Sequence, residues 1–417
     1  MGPRAPRRDG PLSRIRVLEL GQIISGAFAG MLMADLGADV IKVESPHGDL
    51  GRNATIANLR GESAVFLAFN RGKRSLVLDL KSSKGREVFY DLARTADVVV
   101  DNFRPGVLER LGLDHETLSR FRPGIVSCSI TGFGQRGPQR DLPSFDLIHQ
   151  AMSGLLSVTG PKDGPPARIG IPLADLGVAM FALHGILAAL VGRQWTGRGQ
   201  KVEVSMFESM TFLHTYDALA YLNGGDLPRA WGTEHAHLVP WQAFETSDGY
   251  LVVAPREERL WRNYCNAIGL PELARHPSFA TNSDRVANRD DLIPLLEARM
   301  RTRSTGEWLQ TLAEHEVPAA PVNDLAAALR EPTLTENDGI VHVDHPRVGT
   351  LRMLANPLRL SGPRAAYGPP PLLGEHSQEV VAEIPGYGPD RVAELLAAGV
   401  IVSGDAPQAT AVPVDVP

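Results

Sequence analysis

The sequence predicts an α/β fold, a Rossmann-like parallel sheet joined to a smaller α+β domain. Three observations carry this. Short β-branched runs alternate with helical segments up to about residue 200, the pattern of a parallel sheet covered by helices on both faces. After about residue 225 the texture changes to a hairpin followed by consecutive helices. The chain has 417 residues, more than one ordinary core accommodates, so two domains are expected.

In order, "IRVLEL" (15–20) reads as a buried strand, "AGMLMADLGA" as a helix and "DVIKVE" (39–44) as a second strand. "SLVLDL" (75–80), a helix over 83–95 and "DVVVDNF" (97–103) repeat the theme, and two short helices lead to the strand in "GIVSCSITG" (124–132). A long helix over 175–193 closes at "TGRGQ", followed by the strand "KVEVSM" and a helix over 207–222. "VPWQAFETSDGYLVVAP" reads as a hairpin turning at "SDG". Helices are expected over 257–268, 284–302, 304–315 and 322–330. "VHVDHPRVGTLRMLANPLRLSG" supplies two more strands, "GPPPLLGEHSQEVVAEI" a Pro-rich arm entering a helix, and "DRVAELLAAGVI" a last helix. The expected division is a flexible tail (1–14), a Rossmann-like domain (15–200), a linker (201–224), a small α+β domain (225–330), a C-terminal return to the large domain (331–402) and a disordered tail (403–417).

A net charge of −6 argues against a general nucleic-acid binder. Cys128 and Cys265 are too few and too far apart for a disulfide framework or a zinc site, which suits a reducing cytoplasm. The longest apolar run, 176–191, falls short of the ~20 residues that a membrane span needs, and so reads as a core helix.

The turn after the first strand, "GQIISGAFAG", lacks the G-x-G-x-x-G spacing of a dinucleotide site, so the acid Glu44 at the end of strand two is weak evidence for NAD. Four of the six lysines (Lys42, Lys73, Lys81, Lys84) precede residue 85, joined by Arg71 and Arg74. They form either a solvated face or a site for phosphate groups. Asp175 opens a long apolar helix. It is either an N-cap, or a nucleophile that the helix N-terminus keeps ionised while apolar neighbours strip its water. His184 reads as a packed core histidine, and His235 and His237 lack the partners of a metal site. There is no G-x-S-x-G elbow.

Taken together, "RVLELGQIISGAFAGMLMADLGADVIKVE", "FNRGKRSLVLDLKSSKGRE", "ADVVVDNFRPGVLERLGL", "GFGQRGP", "FDLIHQAMSGLLSVTG", "ADLGVAMFALHGILAALVGRQWTGRGQKVEVSMFESM" and "LLGEHSQEVVAE" resemble the family III CoA transferases, the group that includes formyl-CoA:oxalate and carnitine CoA transferases and the α-methylacyl-CoA racemases. The resemblance spans about Ile15 to Ile401. It implies that Asp175 attacks an acyl-CoA thioester, passing CoA to a free carboxylic acid through a mixed anhydride and an aspartyl-CoA thioester. Coenzyme A is then a substrate, with no permanently bound cofactor and no metal. The resemblance also implies CoA contacts at Gln22, Ser25, Leu78, Lys81, Asn102, Phe103 and Arg110. Many relatives carry a basic residue where this chain has Ser45. The implied assembly is a homodimer of two interlocked ring-shaped subunits, with no nucleic-acid or membrane partner.

The segment "RAWGTEHAHLVPWQAF" is similar to members that handle small dicarboxylates. Phe145, Glu234, His235 and His237 are therefore candidate substrate residues, with a histidine serving a second carboxylate as a cation or an N–H donor. Two alternatives are a racemase of the same group and a CoA-binding protein without catalysis. The racemases place a histidine where this chain has Phe145. His149, one helical turn on, would sit roughly 6 Å away, beyond the ~3 Å of a proton transfer.

Overall fold

The structure, a computed structural model, describes residues 9–54 and 56–404. Two compact units are present, one built from the described residues up to 155, 169–216 and 337–404, the other from 156–168 and 217–336. The segment 156–168 thus joins the small unit, which the expected boundary at 225 left out. The small unit also begins at 217, inside the expected linker. Of the expected tails, 1–8 and 405–417 lie outside the described residues. Residues 9–14 are folded in: Leu12 is buried and its N–H donates to Leu36 O at 2.9 Å.

The first unit opens with β1 (Arg16–Glu19), α1 (Ser25–Asp35), β2 (Asp39–Glu44), the short pair β3 (Asn58–Leu59) and β4 (Glu62–Ser63), α2 (Ala64–Phe69), β5 (Arg74–Leu78) and α3 (Ser83–Ala93). Then come β6 (Val98–Asp101), α4 (Val107–Leu111), α5 (His115–Phe121), β7 (Val126–Thr131), α6 (Asp146–Met152), α7 (Leu173–Thr196), β8 (Lys201–Ser205) and α8 (Met206–Phe212). Much of the expected linker is therefore structured: β8 pairs in parallel with β7. The helix expected over 207–222 is two, α8 and α9 (Thr215–Leu222), parted at Leu213–His214 by Thr215, which takes a left-handed backbone (φ 44°).

The long helix runs 24 residues, Leu173–Thr196, past the expected 175–193 at both ends, so length does not separate it from a membrane span. Its packing reads it as core: Ala174, Val178, Ala182, Ile186 and Ala189 are fully buried with β-strand residues such as Val126 and Val98. Gly197 ends it in the left-handed conformation (φ 68°) that favours glycine.

The second unit holds the expected hairpin, β9 (Gln242–Glu245) and β10 (Tyr250–Val253), then α10 (Glu258–Ala267), α11 (Asn282–Ala287), α12 (Arg289–Met300), α13 (Thr305–Glu314), β11 (Ala319–Pro321), α14 (Leu325–Ala328) and α15 (Pro332–Glu336). Strand β11 adds to β10 antiparallel, and its Ala-Ala-Pro sequence gave no strand signal. Trp261, Tyr264, Trp308 and Leu296 centre this unit's own core.

Back in the first unit, β12 (Ile340–His345) and β13 (Gly349–Leu354) form a hairpin. The chain ends with α16 (Ser377–Ala382), α17 (Pro389–Ala397) and β14 (Ile401–Val402). The main sheet runs β14-β5-β2-β1-β6-β7-β8, parallel except for the β14 edge. Chain order reverses between β1 and β6, so the loops after them diverge and leave a crevice at the strands' C-terminal ends, where α/β sheets bind ligands.

Candidate functional site

Behind the crevice lies a buried ion network. Lys42, on β2, pairs with Glu19 Oε1 at 3.2 Å and Asp49 Oδ2 at 2.6 Å, and donates to Gly21 O at 2.8 Å. Lys73 donates to Glu19 Oε2 and Asn70 Oδ1, both at 2.7 Å, and to Ala27 O at 2.8 Å. Both lysines are almost fully buried. Burial works against the charge on Lys42, but Glu19, Asp49 and Glu44 outweigh it and raise its pKa. Burial wins at Lys73, which drops to about 8. Arg71 pairs with Asp35, and Arg74 with Asp39 and Glu383. The basic cluster of the sequence is thus neither a solvated face nor a phosphate site around these four residues, since each is spent on a carboxylate. Glu44 is likewise engaged, by both Arg52 Nε and Nη2 at 2.7 Å, leaving nothing for a ribose. Ser45, by contrast, donates to Gly48 O.

This network shapes the turn after β1. Ile23 holds a left-handed backbone, φ 62°, costly for a β-branched residue. Its N–H donates to Asp49 Oδ1 at 2.9 Å, the same carboxylate that Lys42 holds. Gly21 is obligatory, because a Cβ there would lie 2.6 Å from Gly26 Cα. The turn delivers Ser25, the first residue of α1, to the crevice.

From the loop after β6, Asn102 closes on this turn. Its Oδ1 accepts from Gln22 N at 2.8 Å, and its Nδ2 donates to Gln22 O at 2.9 Å and Ser25 Oγ at 3.0 Å. Ser25 in turn stands beside Asp175, and its hydroxyl works to lower the pKa of that carboxyl. The Asp101 carboxylate, buried beneath, accepts from Ser129 Oγ and Phe103 N, and burial pushes it up to about 6.

Asp175 is the third residue of α7, with Pro172 at the N-cap. It is therefore not the cap. Asp146 satisfies the helix end in its place, its Oδ1 accepting from Ala174 N at 2.7 Å. Nor is Asp175 held ionised: burial and the nearby Asp146 charge raise its pKa to about 7, against the Ser25 hydrogen bond. Desolvation outweighs the helix dipole, so at neutral pH the group is divided between acid and carboxylate, and the carboxylate is poorly hydrated and reactive.

Gln22, Ser25, Asn102, Phe103, Phe145 and Asp175 all line one cleft of about 360 Å³, so the structure unites six of the predicted residues. Leu78 is buried in the sheet core and paired with Ile401, so its side chain reaches no cleft. Lys81 is exposed on the loop before α3, outside the cleft's lining. Sequence reasoning missed Arg104 and Arg140, the cations that line the cleft, and also Ile23, Ser144 and Asp146. "DNFRPG" and "GQRGPQR" were the signal, two arginine-bearing loops after consecutive strands. Arg110 stands beside them: a Cβ on Gly106 would lie 3.2 Å from Arg110 Nη1 and 3.7 Å from Arg140 Nη2.

Glu234, His235 and His237 belong to the second unit. Glu234 is paired with Arg289 at 2.7 Å. His237 N donates to His235 Nδ1 at 3.0 Å. Burial, His237 and Arg289 lower the His235 pKa, so this ring is neutral with its hydrogen on Nε2, a donor and not a cation. His184 is exposed, not a core histidine. No group of three His, Cys, Asp or Glu suited to a metal occurs among the described residues.

Relatives match this chain over most of its length. A profile of CoA-transferase family III matches residues 12–377. The chain is 37% identical over 393 residues to a succinyl-CoA:glutarate CoA-transferase of Mus musculus, covering 94% of this chain and 90% of the relative. It is 38% identical over 384 residues to a succinyl-CoA:mesaconate CoA-transferase of Haloarcula marismortui, covering 90% and 96%. A CAIB/BAIF family protein from Brucella suis superposes with a TM-score of 0.82 at 36% identity, over 90% of this chain and all of that one.

Proposed function

The chain belongs to CoA-transferase family III, and from that premise we propose that it moves CoA from a small dicarboxylic acyl-CoA to a second small dicarboxylate, with Asp175 as nucleophile. One observation carries the mechanism: a partly buried carboxylate with its pKa raised to about 7 stands at the sheet's switch point, beside a Ser25–Asn102 hydrogen-bond relay and two arginines.

The Asp175 carboxylate adds to the thioester carbonyl. The tetrahedral adduct expels CoA thiolate and leaves a mixed anhydride. The thiolate attacks the aspartyl carbonyl of that anhydride, releasing the donor acid as carboxylate and forming an aspartyl-CoA thioester. The acceptor carboxylate repeats the sequence in reverse, restoring Asp175. No proton or water is consumed, so the site's requirement is electrostatic: cations for the CoA phosphates and donors for the developing oxyanions. Arg104, Arg140 and Arg110 supply the first.

Dicarboxylate selectivity is supported by the relatives that act on succinyl-CoA with glutarate or mesaconate. An interlocked homodimer belongs to the same proposal, since Phe212, Tyr216, Leu219 and Leu222 are 65–79% exposed in the single chain and call for a partner surface. So does a cytoplasmic setting, which suits two unpaired, buried cysteines.

The test is a matrix of succinyl-CoA, glutaryl-CoA and acetyl-CoA against free succinate, glutarate, mesaconate and oxalate, with CoA products read by mass spectrometry. Dicarboxylate exchange is expected, and its loss in Asp175→Ala with CoA binding intact. Full exchange in that variant would sink the mechanism.

A further inference from the structure

We propose that Ser144 donates a hydrogen bond to an oxygen of the bound carboxylic acid in the Asp175 cleft, and that His149 is the positioning residue that turns its hydroxyl hydrogen toward that ligand. The proposal deepens the transferase reading and rests on it for the class of ligand.

Ser144 lines the cleft together with Asp175, and its Oγ lies 2.6 Å from His149 Nε2. The pair is built in tightly. His149 is fully buried on α6, with the Phe133 ring centroid 4.8 Å from its own. Behind it, a Cβ on Gly132 would fall 2.4 Å from Ser144 Oγ and 3.1 Å from His149 Nε2, so only glycine fits where β7 ends.

The direction of the hydrogen bond follows from what the ring's other nitrogen meets. His149 Nδ1 is buried and has no hydrogen-bond partner among the described residues. Burial holds the His149 pKa below the usual histidine value despite Asp146, so the ring is neutral and carries one N–H. A hydrogen on Nδ1 would be a buried donor without an acceptor, which folded proteins rarely tolerate, whereas a bare lone pair is tolerated better. The hydrogen therefore sits on Nε2 and is donated to Ser144 Oγ. That leaves the serine's own hydrogen, whose acceptor here is Met206 Sδ at 3.5 Å, a weak one. A carboxylate or acyl oxygen entering the cleft is a far stronger acceptor. Met206 also lines the cleft, so the hydroxyl already points toward it.

The same geometry argues against Ser144 as a second nucleophile. A serine–histidine nucleophile needs Nε2 as acceptor, with a third group on Nδ1 to hold that tautomer, and Nδ1 has none.

The experiment is steady-state transfer from succinyl-CoA to glutarate with the full chain and four variants: Ser144→Ala, His149→Gln, His149→Leu and the double variant Ser144→Ala/His149→Leu. Ser144→Ala should raise the KM for glutarate about 10- to 100-fold, the loss of one hydrogen bond to a charged group, with the Kd for CoA by calorimetry unchanged. His149→Gln, which keeps an N–H donor, should stay within a few-fold of wild type. His149→Leu should match Ser144→Ala, and the double variant should be no worse than either. An unchanged glutarate KM in Ser144→Ala, multiplying effects in the double variant, or an acyl adduct on Ser144 by mass spectrometry would overturn the assignment. Ser144→Ala alone decides it if His149→Leu does not fold. Should the wild type move no CoA between acids, the transferase reading fails. Ser144 is then judged by saturation-transfer NMR of glutarate on the CoA-saturated protein. A signal abolished by Ser144→Ala upholds it, and an equal or absent wild-type signal refutes it.

Discussion

Replacing Asp175 with asparagine should make the protein more stable at alkaline pH while abolishing its chemistry. The carboxyl's pKa rises from an ordinary 3.8 to about 7 on folding. Below the lower value both states hold the proton and nothing is gained or lost. Between the two, the native state keeps a proton that the unfolded chain releases, so stability falls as pH rises, and above 7 the penalty is constant. At about 1.36 kcal/mol per pH unit, the shift corresponds to an upper bound of roughly 4 kcal/mol. The cleft admits water, which screens part of it, and about 2 kcal/mol is the working expectation. The substituted amide keeps an acceptor for Ser25 and removes the charge. A chain of two units need not melt in one step, so wild type and variant are compared by calorimetry on the same transition at pH 8.5 and pH 5. The variant should melt several degrees higher at pH 8.5, and the gap should be smaller at pH 5. An Asp175→Asn protein no more stable than wild type at pH 8.5 would refute the claim that the folded site strains this carboxylate.

Ser25→Ala removes a hydrogen bond that lowers the Asp175 pKa. The midpoint of the pH–kcat/KM profile should move up by about one unit, read from pH 5.5 to 9, and an unmoved midpoint would exclude the relay. Lys42→Ala leaves Glu19 and Asp49 facing a buried gap; urea denaturation should show about 3–5 kcal/mol lost, and a loss under about 1 kcal/mol would mean the network carries little. Arg140→Ala should weaken CoA binding about tenfold and flatten its salt dependence by calorimetry, whereas Lys81→Ala should change neither; the reverse result would restore the contact that the sequence suggested.

The sheet was legible because its inner strands are short, mostly β-branched runs with both faces buried, as over "RVLE", "VIKV" and "VVVD", charged residues included. The helix break at Leu213–His214 was not, because apolar side chains lie on either side of it and it is the backbone of Thr215 that turns. At the site, Asp175 was marked by its apolar surroundings, yet its ionisation was misjudged. Sequence shows the helix end, which lowers a pKa, but not the depth of burial or the approach of Asp146 from another helix, which raise it. The lysine-rich start misled for a related reason. Spacing says how many cations are near in sequence, while Glu19, Asp35, Asp39 and Glu383 reach them from four separate segments.

Those buried lysines also explain why the crevice has its shape. A buried ion pair is a poor device for stability, since apolar residues of the same volume serve as well or better. What an apolar pair cannot do is hold a carbonyl and an N–H in one turn at the same time. Lys42 binds Gly21 O, and through Asp49 it binds Ile23 N. Together they keep a β-branched residue in a left-handed conformation that costs about 1–3 kcal/mol by itself. If Ile23 relaxed to an extended backbone, the Gln22 peptide would rotate away from Asn102, and Ser25 would lose its donor. The Asp175 carboxylate would then keep its desolvation without the one hydrogen bond that opposes it. The acidity of Asp175 is thus set partly by a lysine that never touches it, through a strained turn that Lys42 and Asp49 hold.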